Sequence, residues 1–384
     1  NQRTAESKFY PVAGATEESA MSSAEGQVQN LKYEATFPLL INVDNQPTYF
    51  MALKDNAGLV KKYAMIDIQR YQNVAVGDTV ADTQKAYEAL LATNGVVAEG
   101  VSSAPQSVTM QQTINLTRGK TGAAVLAKRF GCGLTVCDVG VNADLCESAV
   151  LNRKIAYGTQ NICTGPAMTR EQALQAILTG AAVAENVDAD AVGIGEMGIG
   201  NTTTSSAVLA VLLGADVDKV TGRGGGITEG SFRKKKAVIR TAIAVNRPNR
   251  DDVIDVLAKV GGFDLAAMCG AFLGAAASRR AAVIDGFISA VAALCAVRLC
   301  PLVRGYLIPS HASFEIGYRL AMEEMTLRPL FDLGMRLGEG SGCPLAFQVL
   351  DAACAVMNNM ASFDEAGIND DYLDEIRQGD QFTP

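Results

Sequence analysis

Histidine is almost absent from this 384-residue sequence: His311 is the only one. Nine cysteines are present, but none stands in a CxxC pair and their number is odd. Little material is left for a zinc or haem site, and neither a metal nor another cofactor is expected. The cysteines read as reduced, mostly buried thiols of a reducing compartment, which points to the cytoplasm. Positive charge is also short, with 33 Lys and Arg against 41 Asp and Glu and a net charge of −8. A general binder of nucleic acid or anionic membrane needs a basic surface, so neither is an expected partner. Long apolar runs are missing too. The most apolar region, Ala266 to Pro301, is broken by Arg279, Arg280 and Asp285, which suits a buried α/β core better than a membrane span. The first 30 residues are polar and carry no secretory signal, and the chain shows no internal repeat.

What is there changes character along the chain. Residues 1–34, rich in Ser, Glu, Gln and Ala, read as a flexible lead. From 35 to 92, ATFPLLINVDNQPTYFMALKD gives two β-type runs around an Asp-Asn-Gln-Pro turn, and LVKKYAMIDIQRYQNVAVG gives two more. ADTQKAYEALL closes this β-rich module with a helical pattern. Beyond it, short apolar strands alternate with helices. GLTVCDVGV (133–141) is a buried strand with Asp138 near its carboxyl end. TREQALQAILTGAAVAENV (169–187) is a helix with a Thr169/Gln172 capping box and a face of Ala173, Leu174, Ile177, Leu178 and Ala181. Strand–helix alternation predicts a doubly wound parallel sheet with ligands beyond the carboxyl ends of its strands.

The stretch GIGEMGIGNTTTSS (193–206) places Gly193, Gly195 and Gly198 at GxGxxG spacing between a strand and a helix. A dinucleotide fold would need a second strand ending in an acid about 20 residues on. Asp216 and Asp218 follow a helix instead, so the motif does not indicate a dinucleotide site. A second glycine cluster, TGRGGGI (221–227), precedes Arg233, Lys234, Lys235 and Lys236. Two glycine loops and a local basic run in an acidic chain point to a small molecule bearing phosphate. Two acids stand in glycine turns: Glu196 here, and Glu339 in MRLGEGSG. Carboxylates so placed beside phosphate-type loops suit general-base chemistry on a phosphorylated substrate.

The chain from about residue 94 to 363 resembles the nicotinate-nucleotide:5,6-dimethylbenzimidazole phosphoribosyltransferases of cobamide nucleotide-loop assembly. The blocks that carry the resemblance are NGVVAEGVSSAPQSVT, NLTRGKTGAAVLAKRFG, CDVGVNAD, YGTQNICTGPAMTR, GEMGIGNTT, VLAKVGGFDLAAMCGAFLGAA, VIDGFISAVAAL, YLIPSHASFEIG and MRLGEGSG. They stand in family order over roughly 270 residues, which is far more specific than one glycine motif. The resemblance implies transfer of phosphoribose from nicotinate mononucleotide to a benzimidazole-type base by a homodimer. It assigns Glu339 as general base and Glu196 as a supporting acid beside the base pocket. Gly198, Gly200, Asn201, Thr202, Thr203, Gly222, Gly224, Gly226, Lys235 and Ser313 would hold phosphate and ribose. Gln112, Ala104, Met335 and Leu337 would line the aromatic pocket, with Ala104 standing where some members carry Ser. His311 matches a family position as a structural residue.

The resemblance does not reach the N-terminal 92 residues, so the expected organisation is a lead (1–34), an added β-rich module (35–92) and the phosphoribosyltransferase domain (93–384), its small helical domain formed by C-terminal helices. Thr93 replaces a family Asp, and the segment before it reads as helix. One sheet strand is therefore expected to be absent or rebuilt. Two rivals stand beside this reading: a catalytically impaired nucleotide-binding homologue, suggested by that loss and by Ala104, and a non-enzymatic partner subunit with the β-rich module as its interaction surface.

Overall fold

The computed structural model describes residues 39–43, 46–54, 60–66 and 85–369; the predicted lead lies outside them. Two compact units are present, one made of residues 83–349 and the other of residues 1–82 with 350–384. In the latter, β1 (Leu39–Val43), β2 (Gln46–Lys54) and β3 (Val60–Ile66) form an antiparallel sheet in that order. The segments LLINV and QPTYFMALK are β1 and β2.

The larger unit is built on six parallel strands: β4 (Lys85–Ala92), β5 (Gly133–Gly140), β6 (Val150–Asn152), β7 (Ala191–Met197), β8 (Ala281–Ile284) and β9 (Leu307–Pro309). Their order is β6-β5-β4-β7-β8-β9. The α-helices of the described residues are α1 (Ser107–Thr117), α2 (Gly122–Arg129), α3 (Arg170–Glu185), α4 (Asn201–Leu213), α5 (Val217–Val220), α6 (Glu229–Asn246), α7 (Val253–Val260), α8 (Phe263–Ala277), α9 (Phe287–Leu299), α10 (Ile316–Met325), α11 (Gly342–Asn359) and, in the other unit, α12 (Phe363–Ala366). None of the helices described is long and apolar enough to cross a membrane, and no disulfide joins the described cysteines.

The segment KAYEALLA corrects the sequence reading. It is strand β4, not a helix, and it lies in the middle of the sheet, paired with β5 on one side and β7 on the other. The strand expected to be missing is therefore present. It falls on the N-terminal side of the boundary drawn at residue 93, so the transferase fold takes in residues 85–92. Thr93 follows it and ties the strand ends together: its N–H donates to the Gly140 carbonyl (3.0 Å), and its Oγ1 accepts from the Asn142 N–H (3.0 Å).

Helix α3 has the predicted capping box, with reciprocal hydrogen bonds between Thr169 and Gln172. Its buried face differs from the expected one. Leu174 and Leu178 are exposed, and Ala173, Ala176, Ile177, Gly180, Val183 and Ala184 face the core. The partner helix explains the rotation. A Cβ on Gly180 would lie 1.7 Å from the Ala267 carbonyl oxygen of α8, and one on Gly270 would lie 1.8 Å from that of Ile177. Backbones this close exclude leucine from the contact. Helix α8 is buried almost throughout, and with α9 and the sheet it forms the main core.

Candidate functional site

The sheet order reverses between β4 and β7: the chain leaves β4 for β5 and β6 on one side, then returns to β7, β8 and β9 on the other. The crevice beyond the carboxyl ends of strands at such a switch point is where α/β sheets bind ligands. Here it holds a cavity of about 260 Å³. Its wall is made by the loop after β4 (Val101 to Ala104), the turn from β7 into α4 (Glu196 to Thr202), Arg223 to Gly225 with Ile227, the end of β8 with the start of α9 (Asp285 to Ser289), His311, Ser313 and Glu315 after β9, and Arg336 to Glu339.

Glu339 occupies an unusual backbone. Gly338, Glu339 and Gly340 have φ of +78°, +63° and +87°, three left-handed residues in succession. For a side chain other than glycine this conformation costs roughly 1–2 kcal/mol, so the surrounding contacts must impose it. A Cβ on Gly340 would meet the Tyr87 ring at 2.0 Å, which requires glycine there. The Glu339 carboxylate reaches the N-terminus of α2. Its Oε2 accepts from the Ala123 N–H at 3.3 Å, and its Oε1 lies 3.5 Å from Gln112 Nε2. Burial pushes the Glu339 pKa up, while the Ala123 and Gly122 amides pull it back. A helix N-terminus favours the ionised form.

Glu196 lies near the carboxyl end of β7, across the same wall from Gly338. Its Oε2 accepts from Asn201 Nδ2. Burial raises its pKa to about 8 against that hydrogen bond, and Asp264, Asp285 and Glu339 add to the rise. Asp264, at the start of α8, accepts from Asn94 Nδ2 at 3.2 Å, and burial raises it to about 6. A Cβ on Gly198 would come within 2.3 Å of Asp264 Oδ2. The glycine of the turn thus makes room for an acid cluster beneath it.

The anion side is built by α4 and the 221–227 loop. Helix α4 begins at Asn201 after Gly200 (φ +94°) with no side-chain cap; the Asn201 and Thr203 N–H groups donate to the Gly198 and Gly200 carbonyls (3.0 and 2.9 Å), and the positive end of the helix favours an anion at this turn. Lys235, fully buried on α6, donates from Nζ to Thr202 Oγ1 (2.9 Å) and to the Gly222 carbonyl (3.0 Å). Burial lowers its pKa to about 8, opposed by the charge of Glu315. The Gly224 N–H donates to Glu315 Oε1 at 2.8 Å, and the Gly226 N–H to the Arg223 carbonyl at 3.3 Å.

The cavity thus gathers Glu339, Glu196, Gly198, Gly200, Asn201, Thr202, Gly224, Ser313, Ala104 and Leu337 from the predicted set. Lys235 and Gln112 stand behind that wall, hydrogen-bonded to Thr202 and Glu339, and Gly222 is bonded in turn to Lys235. Thr203 is buried inside α4, Gly226 lies in the loop beyond, and Met335 accepts from the Phe314 N–H through its carbonyl. Among the charged wall residues, Asp285, Glu315 and Arg336 were not foreseen, whereas Arg223 belongs to the glycine cluster read as a phosphate loop. Asp285 had a signal, as an acid followed by glycine after the apolar run AAVI. His311 contacts Ser310 Oγ through Nδ1 at 3.0 Å and stacks on Phe331, a structural setting.

A family model described as phosphoribosyltransferase matches residues 69–368. The chain is 53% identical over 287 residues to the nicotinate-nucleotide–dimethylbenzimidazole phosphoribosyltransferase of Clostridium perfringens, covering 74% of this chain and 80% of that protein. The protein of the same name from Ruminiclostridium cellulolyticum is 51% identical over 282 residues, covering 73% and 80%. Among solved structures, CobT from Thermus thermophilus superimposes with a TM-score of 0.72 at 39% identity, over 75% of this chain and 87% of that one.

Proposed function

We propose a division of labour among the site residues of a chain that belongs to the phosphoribosyltransferase family. The chain transfers phosphoribose from nicotinate mononucleotide to 5,6-dimethylbenzimidazole in cobalamin biosynthesis, releasing nicotinate and forming the α-riboside 5′-phosphate. Nicotinate on its ribose is a cationic pyridinium and leaves without an acid. The acceptor is a modest nucleophile carrying an N–H. On this reading Glu339 takes that proton while the other ring nitrogen attacks the anomeric carbon from the face opposite nicotinate, inverting β to α. Glu196, protonated at neutral pH, supports the base pocket with Asn201. Lys235, Thr202 and the first turn of α4 hold the phosphate, and Ser313 borders the ribose. Ala104, Leu337 and Gln112 border the aromatic acceptor, and Met335 supports their turn. Related aromatic bases compete for the same pocket. The protein acts as a homodimer in the cytoplasm, which sedimentation at working concentration would test.

The observation that carries this reading is the placement of Glu339: an acid held against amide donors on the wall of a cavity whose opposite side is built for an anion. Incubation with nicotinate mononucleotide and dimethylbenzimidazole, followed by measurement of free nicotinate and α-riboside, tests it. Glu339→Gln should lower turnover by about 10²–10⁴-fold. Unchanged turnover would remove Glu339 from this role.

A further inference from the structure

Glu339 is held from two directions. Its carboxylate meets the start of α2, and its backbone is gripped by a residue from another strand. Asp285, buried at the end of β8, accepts from the Gly340 N–H through Oδ2 (3.0 Å) and from the Gly342 N–H through Oδ1 (2.7 Å). These amides follow Glu339 directly and lead into α11. Asp285 is itself fixed: its carbonyl accepts from Ser310 Oγ (3.1 Å), its N–H donates to Ser289 Oγ (3.2 Å), and Ser289 Oγ donates to the Ile194 carbonyl of β7 (2.8 Å). Contacts that reach β7 and β9 thus fix the backbone that carries this carboxylate. That carboxylate supplies both acceptors for a turn whose backbone, with three left-handed residues, would not persist unaided.

We propose that Asp285 is a positioning residue for the transfer, clamping the Gly338–Gly342 turn so that the Glu339 carboxylate stays aimed at the acceptor. The inference rests on the reading of Glu339 as the base. Asp285 acts through Glu339 and takes no proton from the substrates. Displacement of a reacting group by about 1 Å can slow a reaction by about 10²-fold, so the clamp has a kinetic signature.

In Asp285→Asn one of the two acceptors becomes an NH₂ facing an amide N–H. This variant should lose about 10- to 100-fold in kcat, with KM for nicotinate mononucleotide within about threefold of the parent. The decisive comparison is the double variant. Placed on Glu339→Gln, Asp285→Asn should reduce turnover by less than about twofold, because a clamp has nothing left to aim. Equal losses in both backgrounds would overturn the inference, since general damage to the fold lowers both alike. Ser310→Ala, which removes the hydroxyl bonded to the Asp285 carbonyl and to His311 Nδ1, should show the same kcat loss on a smaller scale. If Asp285→Asn does not fold, Ser310→Ala decides: unchanged kcat overturns the proposal, and reduced kcat at unchanged KM supports it. The two readings fail separately. Full turnover by Glu339→Gln removes the base assignment. A collapse there with full turnover by Asp285→Asn removes only the clamp.

Discussion

Glu196 and Glu339 are the same residue on the same wall, and their surroundings separate them. Glu196 is shut into the sheet end among Asp264, Asp285 and Glu339, so its carboxyl is held neutral up to about pH 8. Glu339 is also raised by burial, but two amides at the start of α2 favour its anion. On the proposed reading these surroundings give the two carboxyls the parts of neutral acid and base, with Glu339 removing the proton. Lys235 presents the same logic with opposite sign. Burial lowers it to about 8, so it is charged below that pH and loses its proton above it. If its charge anchors the phosphate through Thr202 and Gly222, KM for nicotinate mononucleotide should rise as pH passes 8, while Lys235→Met should give a raised KM with no such dependence. Initial rates between pH 6.5 and 9.5 check this, and a flat KM in the parent protein would remove the lysine from phosphate binding.

At the scale of elements, what the sequence disclosed depended on how local the signal was. The capping box of α3 and the strand–glycine turn–helix of β7 and α4 are written in adjacent residues, and both appear in the structure. Glu339 in its glycine turn was legible for the same reason, whereas Glu196, expected in such a turn, is a residue of strand β7. Strand β4 was not. KAYEALLA is composed of helix formers, and a strand buried on both faces has no alternation to reveal it. Pairing with β5 and β7 along its whole length overrides the propensity. The exposed leucines of α3 escaped for a related reason, because the contact that turns them outward is made by glycines on α8, about 90 residues away. Asp285 and Glu315 share that difficulty, since their partners are backbone amides of distant loops. A deletion follows from the position of β4. A chain starting at residue 94, the point where the family resemblance first becomes readable, would lose the strand between β5 and β7 and divide the sheet. It should lack a cooperative thermal transition and near-ultraviolet circular dichroism. A sharp transition in that fragment would show that β4 is dispensable.

Taken as a whole, the molecule buries acid in an acidic chain. The net charge is −8, yet Glu88, Glu196 and Asp264 lie within the large unit, raised by desolvation to about 8, about 8 and about 6. Glu196 and Asp264 border the site and have hydrogen-bond partners. Glu88 belongs to β4 and has none for either carboxyl oxygen among the described residues; only the nearby charge of Arg280 favours its anion. Its folded pKa stands above the ordinary glutamate value of 4.5, so the sign of its linkage is fixed. Below about pH 4.5 the group is protonated in both folded and unfolded chains and stability is unaffected. As pH rises toward 8 the unfolded chain releases a proton that the folded chain retains, and stability falls across that window. Glu88→Gln keeps the shape of the neutral acid and cannot ionise. Its melting temperature should match the parent near pH 5 and exceed it increasingly up to pH 8, with Glu196 and Asp264 supplying the slope that remains. Thermal unfolding at pH 5, 6.5 and 8 measures the difference. A gap between the two proteins that stays constant over that range would mean that Glu88 is already ionised in the folded sheet.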